Sequence, residues 1–265
     1  MASNRIEKTF TQLRKQGRTA FVGYLCAGDP NYEVSLESAK ALLEGGTDII
    51  ELGIPFSDPV ADGPVNQAAA LRALNAGMTV DRTFEFVREL RAVSEAPIIL
   101  YTYYNLLFRR GHAQFAKDAV QAGVDGVLVL DCPPEESQEW VAAAKAENLA
   151  NIFIVAPTTP VERLPVIMEN ASGYIYYVSR LGVTGERDTI AEGMEQAIAQ
   201  IKQHTDLPVA VGFGVSRHEH VKAIGEVADG VIVGSSLVKL IEQNIDDPKK
   251  IPIALRAKLD ELLGN

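Results

Sequence analysis

Short apolar runs alternate with longer amphipathic stretches along the 265 residues of the chain. Eight of these runs are almost continuously apolar and rich in β-branched or aromatic residues, which is typical of parallel strands that are covered on both faces. The predicted strands are residues 21–25, 48–52, 98–101, 126–130, 152–155, 174–178, 209–212 and 230–233.

Amphipathic helical patterns separate the predicted strands. The first, Tyr32–Glu44, is followed by the glycine pair 45–46, and glycine directly after a helix is a common stop signal. The remaining helical patterns are residues 79–93, 112–121, 135–147, 161–168, 188–203, 217–227, 237–243 and 252–263. Ahead of the first strand, Ile6, Phe10 and Leu13 recur at helical spacing, which predicts an additional amino-terminal helix.

The strict alternation of eight strands with helices predicts a closed (β/α)₈ barrel, the TIM barrel, rather than an open doubly wound sheet. No linker, low-complexity tract or shift in composition divides the chain, so we expect residues 1–265 to form a single α/β barrel domain with an N-terminal extra helix. Hydrophobic residues make up 47% of the chain, which is enough for a buried core throughout.

Charge and cysteine content narrow the class of protein. The formal net charge is −10 and the basic residues are scattered, which argues against a nucleic-acid-binding face or a polybasic membrane patch. We interpret the two cysteines, Cys26 and Cys132, as small buried hydrophobes in a reduced, cytoplasmic setting. The amino terminus lacks the apolar core of a signal peptide, and no apolar run has the length of a membrane span.

Three acidic residues follow closely on one another at the end of the second predicted strand: Glu51, Asp58 and Asp62. Active sites of (β/α)₈ barrels are built at the carboxyl ends of the strands. Glu51 ends a hydrophobic run, so burial should raise the pKa of its carboxyl group and suit it to acid–base chemistry. Asp62 lies in a loop that can fold back over the barrel mouth, although Asp58 and Asp62 are equally plausible as turn residues beside Pro59 and Gly63.

Glycine-bearing turns follow the last three predicted strands, at residues 180–185, 212–216 and 234–236. Glycine lets backbone N–H groups approach an anion, and a following helix N-terminus favours negative charge. Ser235 or Ser236 could act as N-cap and ligand together. Single glycine pairs are common in ordinary tight turns, but three consecutive units indicate a phosphorylated small molecule. The polar segment 180–188 either closes over the substrate as a lid, with Gly182 and Gly185 as flexible points, or is an ordinary surface loop.

Several other chemistries lack the residues that they need. No lysine stands at a predicted strand end to form a Schiff base, and neither cysteine has an evident histidine partner. The one close histidine pair, His218 and His220, lies in a charged helix start and suits solvent better than a metal. We therefore expect no metal and plain acid–base catalysis.

At this point the residues resemble one family over essentially the whole chain, the tryptophan synthase α subunit. The motifs that carry the resemblance are AGDP (27–30), ELGIPFSDPVADGP (51–64), YYN (103–105), YIYYVSRLGVTG (174–185) and GFGVS (212–216). The resemblance implies a lyase of L-tryptophan biosynthesis that cleaves indole-3-glycerol phosphate to indole and glyceraldehyde 3-phosphate by a retro-aldol reaction.

The same resemblance implies roles for individual residues. Glu51 corresponds to the general acid–base residue, Asp62 to the carboxylate that engages the indole N–H, and Tyr176 to a residue that supports the site beside Glu51. The positions that correspond to the phosphate site are Gly185, Gly214, Gly234 and Ser235. Those that correspond to the indole pocket are Phe21, Tyr101, Leu128, Leu130, Ile154 and Phe213. Those that correspond to the lid are Arg180, Gly182 and Thr184.

The resemblance also implies a partner. Residues 55–59 and Asn105 correspond to the face that meets a β subunit, which carries pyridoxal phosphate, in an α₂β₂ heterotetramer; no cofactor is expected in this chain. Two residues depart from the family pattern: Asn66 replaces an apolar residue, and Tyr101 is bulky for a pocket position.

Three alternatives stay open. The chain could be a stand-alone lyase that needs no β subunit, or a barrel kept only as a structural or allosteric partner. It could also be a different barrel enzyme of the pathway, either an isomerase or indole-glycerol phosphate synthase, but the synthase would need a lysine at a strand end. Retention of both Glu51 and Asp62 argues against a barrel that has lost catalysis.

Overall fold

The computed structural model describes residues 4–179, 187–212 and 214–265, without the side chains of residues 187–192. Eight parallel strands pair in chain order, and the first pairs with the last, so the sheet closes into a barrel. The strands are β1 (Ala20–Cys26), β2 (Ile49–Gly53), β3 (Ile98–Thr102), β4 (Gly126–Val129), β5 (Ala150–Val155), β6 (Ile175–Val178), β7 (Val209–Gly212) and β8 (Gly230–Val233). The predicted (β/α)₈ architecture is confirmed, and every predicted strand lies within two residues of its observed bounds.

Helices connect successive strands and surround the barrel. In the described part of the chain they are α1 (Arg5–Lys15), α2 (Tyr32–Glu44), α3 (Pro64–Asn75), α4 (Val80–Arg91), α5 (Tyr104–Arg110), α6 (His112–Ala122), α7 (Gln138–Ala146), α8 (Leu164–Asn170), α9 (Arg187–Lys202), α10 (His218–Gly225), α11 (Ser235–Gln243) and α12 (Ile251–Leu263). Short 3₁₀ turns at Pro134–Glu136, Val161–Arg163 and Pro248–Lys250 precede α7, α8 and α12. The first two turns divide the patterns predicted as continuous helices over residues 135–147 and 161–168.

Two helices, α3 and α5, have no counterpart in the sequence prediction. Gly63 is the N-cap of α3 and Pro64 is its first residue, a favourable arrangement because proline has no N–H to leave unsatisfied there. The buried face of α3 consists of Ala69, Ala70 and Ala73, whose small side chains give a weak hydrophobic period. Helix α5 has only seven residues, too few to show a period.

Two apolar clusters lie on the two sides of the sheet. The outer cluster fills the space between the strands and the surrounding helices, and the inner one fills the barrel. Ile6, Phe10 and Leu13 of α1 belong to the inner cluster and close the amino-terminal end of the barrel. The additional N-terminal helix is therefore confirmed, and the opposite, carboxyl-terminal end is the one at which polar side chains and loops converge.

No helix within the described residues is both long and apolar enough to cross a membrane. Cys26 and Cys132 are both free and buried, as small hydrophobic residues are.

Candidate active site

Glu51 lies in the middle of β2 and points into the barrel, where it is 1% exposed. The hydroxyl of Tyr174 donates a hydrogen bond of 2.5 Å to its Oε1 atom. Burial raises the pKa of Glu51 from 4.5 to about 7, against the opposing effect of the Tyr174 hydrogen bond, which favours the carboxylate. A carboxyl group with this pKa can both give and take a proton at neutral pH.

Two tyrosines of the β6 segment, rather than one, lie near Glu51. Tyr174, just before β6, is fully buried, and its ring contacts that of Phe10 at a centroid distance of 5.8 Å. Tyr176, which the resemblance placed beside Glu51, donates no hydrogen bond to it; burial and the nearby charges of Glu51 and Asp62 raise the pKa of its phenol. Sequence reasoning missed Tyr174, although residues two apart on a strand share a face.

Asp62 lies in the loop between β2 and α3 and is held by three side-chain donors. The hydroxyl of Tyr101 lies 2.8 Å from Oδ1, and the hydroxyl of Tyr103 lies 2.7 Å from Oδ2. The side-chain amide of Asn66 donates to Oδ1 at 3.3 Å. Asp58, in the same loop, accepts a hydrogen bond from the Ser57 hydroxyl through its side chain and is exposed, as expected of a turn residue.

Partly exposed residues of the barrel interior line the mouth above Glu51. Tyr101, Leu130, Ile154 and Tyr176 all pack on the inner cluster while remaining partly open to solvent, and Leu128 lies fully buried within that cluster. These side chains come from β3, β4, β5 and β6 and their carboxyl ends, so they form an apolar wall around the mouth. A bicyclic aromatic group suits such a wall.

Phe21, expected in the indole pocket, faces the wrong side of the sheet. It packs in the outer cluster and is in register with Val231, which is also in that cluster. Tyr24, which is in register with Glu51, is on the interior side of β1, and its ring meets the Tyr101 ring edge-on at 5.0 Å. Successive residues of a strand point to opposite faces of the sheet. Phe21 and Tyr24 are three residues apart, so a pocket position assigned to Phe21 instead of Tyr24 falls on the wrong face.

The glycine turns after β7 and β8 lie at the same end of the barrel as Asp62. Gly214 follows β7 with a φ of +78°, which favours glycine, and Gly234 follows β8 as the N-cap of α11. The expectation of a serine N-cap is therefore wrong: Ser235 is the first helical residue and is exposed, and no side chain caps α11. The Ser236 hydroxyl instead donates to the carbonyl of Val215 at 2.9 Å, which joins the two turns.

Tyr24 connects this glycine side with the carboxylate side. A Cβ atom at Gly234 would lie 3.4 Å from the Tyr24 ring, and the charges of Asp62 and Glu51 both raise the pKa of the Tyr24 phenol, although burial is the largest cause. The phosphate candidates and the two acids thus share one mouth. Five candidates, Arg180, Gly182, Thr184, Gly185 and Phe213, lie outside the described residues.

A buried ion pair, missed by sequence reasoning, anchors the loops of the mouth. Asp29, in the loop after β1, is completely buried and accepts two hydrogen bonds from Arg72 of α3, at 2.7 and 2.8 Å. The pair ties α3, which also carries Asn66, to the loop after β1. The sequence signal for this ion pair was the AGDP motif. That signal is weak, because aspartate before proline is also common in ordinary turns.

The described residues contain no group of three or more His, Cys, Asp or Glu side chains arranged to hold a metal ion. His218 contacts the carbonyl of Leu262 through Nδ1 at 3.0 Å, and His220 contacts Ser216 and Arg217. The described groups at the mouth include the carboxyl groups of Glu51 and Asp62, the phenols of Tyr101, Tyr103 and Tyr174, and the backbone amides of the glycine turns.

Comparison with known proteins places the chain in a family. A family profile described as tryptophan synthase alpha chain matches residues 10–263. Tryptophan synthase alpha chains from Opitutus terrae and Methanoregula boonei are each 50% identical to this chain, over 98% of both chains for the first and over 95% of this chain and 94% of the relative for the second.

Solved structures agree. Tryptophan synthase subunit alpha from Legionella pneumophila is 36% identical, with a TM-score of 0.91 over 98% of this chain and 97% of the other. A chain from a structure of the tryptophan synthase α₂β₂ complex of Pyrococcus furiosus is 41% identical, with a TM-score of 0.86 over 93% and 98%. The chain therefore belongs to the tryptophan synthase alpha chain family, the indole-3-glycerol phosphate lyases that form the α subunit in tryptophan biosynthesis.

Proposed function

We propose that this barrel mouth performs the retro-aldol cleavage of indole-3-glycerol phosphate, with Glu51 and Asp62 as its two catalytic residues. The observation that carries the assignment is the pairing of a buried carboxyl group of pKa about 7 with a second carboxyl group held over the same opening. Glu51 supplies the acid–base residue, and the carboxyl group of Asp62 supplies a hydrogen-bond acceptor at the same opening.

The reaction needs a proton delivered to one carbon and removed from one oxygen. Protonation of indole C3 by Glu51 makes that carbon tetrahedral and places a positive charge on the ring nitrogen. Removal of the proton of the adjacent side-chain hydroxyl, again by Glu51, then releases the aldehyde, and the electrons of the broken carbon–carbon bond neutralise the ring. The carboxyl group regains its starting protonation state in each turnover, which a pKa about 7 favours.

Asp62 in this scheme accepts a hydrogen bond from the indole N–H and stabilises the positive charge of the ring. Its electrostatic effect is greatest where water is excluded, at the apolar wall formed by Tyr101, Leu128, Leu130 and Ile154. Tyr176, within electrostatic reach of both acids, completes the wall on the β6 side.

The phosphate group is assigned to the turns after β7 and β8, on the far side of β1 from β2. Gly214, Gly234 and Ser235 present backbone amides and the N-terminus of α11, which together favour an anion. By the resemblance, Gly185 and Phe213 complete this site, and Arg180, Gly182 and Thr184 form the lid that excludes water.

The partner in this proposal is a β subunit in an α₂β₂ heterotetramer, as in the Pyrococcus furiosus complex. Residues 55–59 and Asn105 would form the contact. The ring of Phe56 stacks on that of Tyr103 at 5.1 Å, which brings the loop to the start of α5. Val60 is 81% exposed and Phe108 is 65% exposed, and exposed apolar side chains are typical of a covered surface.

Pyridoxal phosphate in this proposal belongs to the β subunit, and the α chain works without a cofactor as a single cytoplasmic barrel domain. Delivery of indole directly to the partner has a physical rationale, because a free apolar product would escape.

An assay of indole release from indole-3-glycerol phosphate tests the function. We expect activity from the chain alone, a marked rise when a β subunit is added, and a loss of at least about a thousandfold in Glu51→Gln, the upper range for a general acid–base group. Phosphate binding by Glu51→Gln should be retained. Full activity without β would favour a stand-alone lyase, and an inactive wild-type chain, with or without β, would refute the assignment.

A further inference from the structure

We propose that Tyr101 is a positioning residue for Asp62, which it holds in place through its hydroxyl group before substrate binds. The inference rests on the proposed function, in which Asp62 receives the indole N–H. Tyr101 is one of the two residues that, by the resemblance, depart from the family pattern.

The Tyr101 side chain is fixed by the barrel. Tyr101 is the second-last residue of β3, and its ring is held edge-on against Tyr24 of β1, with an interplanar angle of 66°. The hydroxyl reaches across the mouth to Oδ1 of Asp62, at 2.8 Å. A strand residue packed in this way loses little further freedom when it donates a hydrogen bond.

The backbone of Asp62 itself, by contrast, makes only local hydrogen bonds within the described residues. Its N–H donates to the carbonyl of Pro59, and its carbonyl accepts from the side chain of Gln67, both within five residues along the chain. The long-range side-chain contacts of the carboxylate are those to Tyr101 and Tyr103. The two phenols therefore connect the loop to β3 and its carboxyl end.

Both phenols are suited to act as donors. Burial raises the pKa of Tyr101 and of Tyr103, and the adjacent Asp62 raises both further, so each hydroxyl remains protonated. Tyr103 uses a lone pair as well, because it accepts the N–H of Ala61 at 3.1 Å. Hydrogen bonds to an ionised acceptor are among the stronger ones in proteins.

The arrangement also determines which oxygen of Asp62 is available to substrate. A carboxylate offers about four lone-pair sites, two on each oxygen. Within the described residues, Oδ1 already accepts from Tyr101 and from Asn66, whereas Oδ2 accepts from Tyr103 alone. The indole N–H is therefore received at Oδ2, and Tyr101 and Asn66 orient the carboxylate by occupying Oδ1.

Steady-state kinetics of indole release provide the test, with the variants Tyr101→Phe and Tyr101→Leu. Phenylalanine keeps the ring and loses only the hydroxyl. A hydrogen bond to a charged group is worth about 1.5–3 kcal/mol, which corresponds to a fall in kcat of about 10- to 100-fold, with KM within about twofold. Tyr101→Leu should lose at least as much. Tyr177→Phe is the matched control, since Tyr177 is a buried β6 tyrosine of the outer cluster.

A double-variant cycle separates positioning from packing. In the Asp62→Asn background Tyr101→Phe should add little further loss, because its partner is already altered. Three results would each overturn the inference. The first is a wild-type kcat in Tyr101→Phe together with a defect in Tyr101→Leu, the second is a change in KM alone, and the third is a loss that is fully additive with that of Asp62→Asn. Thermal unfolding of every variant identifies a folding defect. If Tyr101→Phe does not fold, the same double-variant cycle is carried out with Tyr103→Phe, which removes the other phenol that donates to Asp62, and a loss that is fully additive with Asp62→Asn would again overturn the inference. An inactive wild-type chain would count against the proposed function instead.

Discussion

The hydroxyl of Tyr174 lies 2.5 Å from Oε1 of Glu51, and both side chains are buried inside the barrel. Tyr174 also contacts Phe10 of α1, the helix that closes the amino-terminal end. The helix that precedes the first strand thus supports, through one tyrosine, the carboxyl group assigned to acid–base catalysis.

Replacement of Tyr174 by Phe should move the pH dependence of turnover. The Tyr174 hydrogen bond favours the carboxylate and so lowers the pKa of Glu51 from the value that burial alone would produce. Its loss raises that pKa, and the limb of the pH–kcat profile that reports Glu51 should move about one pH unit upward. Tyr177→Phe is the control, and coincident profiles for the two variants would contradict the prediction.

Replacement of Glu51 by Gln should change how stability depends on pH. The folded-state pKa is raised, so the stability associated with the protonated Glu51 is fully present below pH 4.5 and is lost as pH rises through about 7. The difference corresponds to about 3 kcal/mol. The free energy of unfolding of Glu51→Gln relative to wild type should therefore increase by that amount from pH 4 to pH 8. Urea titrations at several pH values measure it, and a constant difference would argue against the raised pKa.

Replacement of Asp62 by Asn should lower indole release by several orders of magnitude and leave the fold intact. Asparagine keeps the shape, but it has one acceptor oxygen in place of the two that receive Tyr101 and Tyr103, and it has no charge to stabilise the positive ring. Circular dichroism and thermal unfolding check the fold beside the assay. Residual activity within about tenfold of wild type would show that the charge of Asp62 is dispensable.

Replacement of Arg72 by Ala should destabilise the protein by about 3–5 kcal/mol, because it leaves the charge of Asp29 buried without its partner. Arg88 of α4 is exposed and serves as the control, since an exposed arginine typically changes stability by about 0.5 kcal/mol or less on replacement. Denaturant unfolding of the two variants makes the comparison. Equal midpoints would mean that Asp29 is neutral or finds another donor.

Periodic parts of the chain were the predictable ones. The strands could be located because apolar β-rich runs are distinctive when they recur between amphipathic helices. Helices α3 and α5 could not, since the first presents alanines to the core and the second is short. Tertiary contacts with the loops and strands around them stabilise such segments where the period is weak.

At the site, the sequence identified Glu51 and Asp62 as candidate acids because one lies near the end of an apolar strand and the other follows it, but it did not predict the hydrogen bonds that hold them. Tyr24 was missed and Phe21 was chosen because the choice depends on which residues of β1 face inward. The partner of Glu51 is Tyr174 rather than Tyr176, a choice that the sequence leaves open because residues two apart on the β6 segment share a face. In the sequence Tyr101 is only a bulky residue, and the contact of its hydroxyl with Asp62 is a feature of the tertiary structure.

By itself, the order of apolar and amphipathic segments determined that eight strands alternate with helices, and hence that acids following a strand gather at one end of a barrel. The alternation of strands with helices and the position of an acid after a strand are local properties, since each depends on residues that are close in the chain. The tertiary structure decided which side chains meet: Glu51 and Tyr174 are 123 positions apart, and Asp62 and Tyr101 are 39 apart. Closure of the barrel brings such residues within hydrogen-bonding distance, and distances set by closure depend on strand register and side-chain direction across the whole sheet.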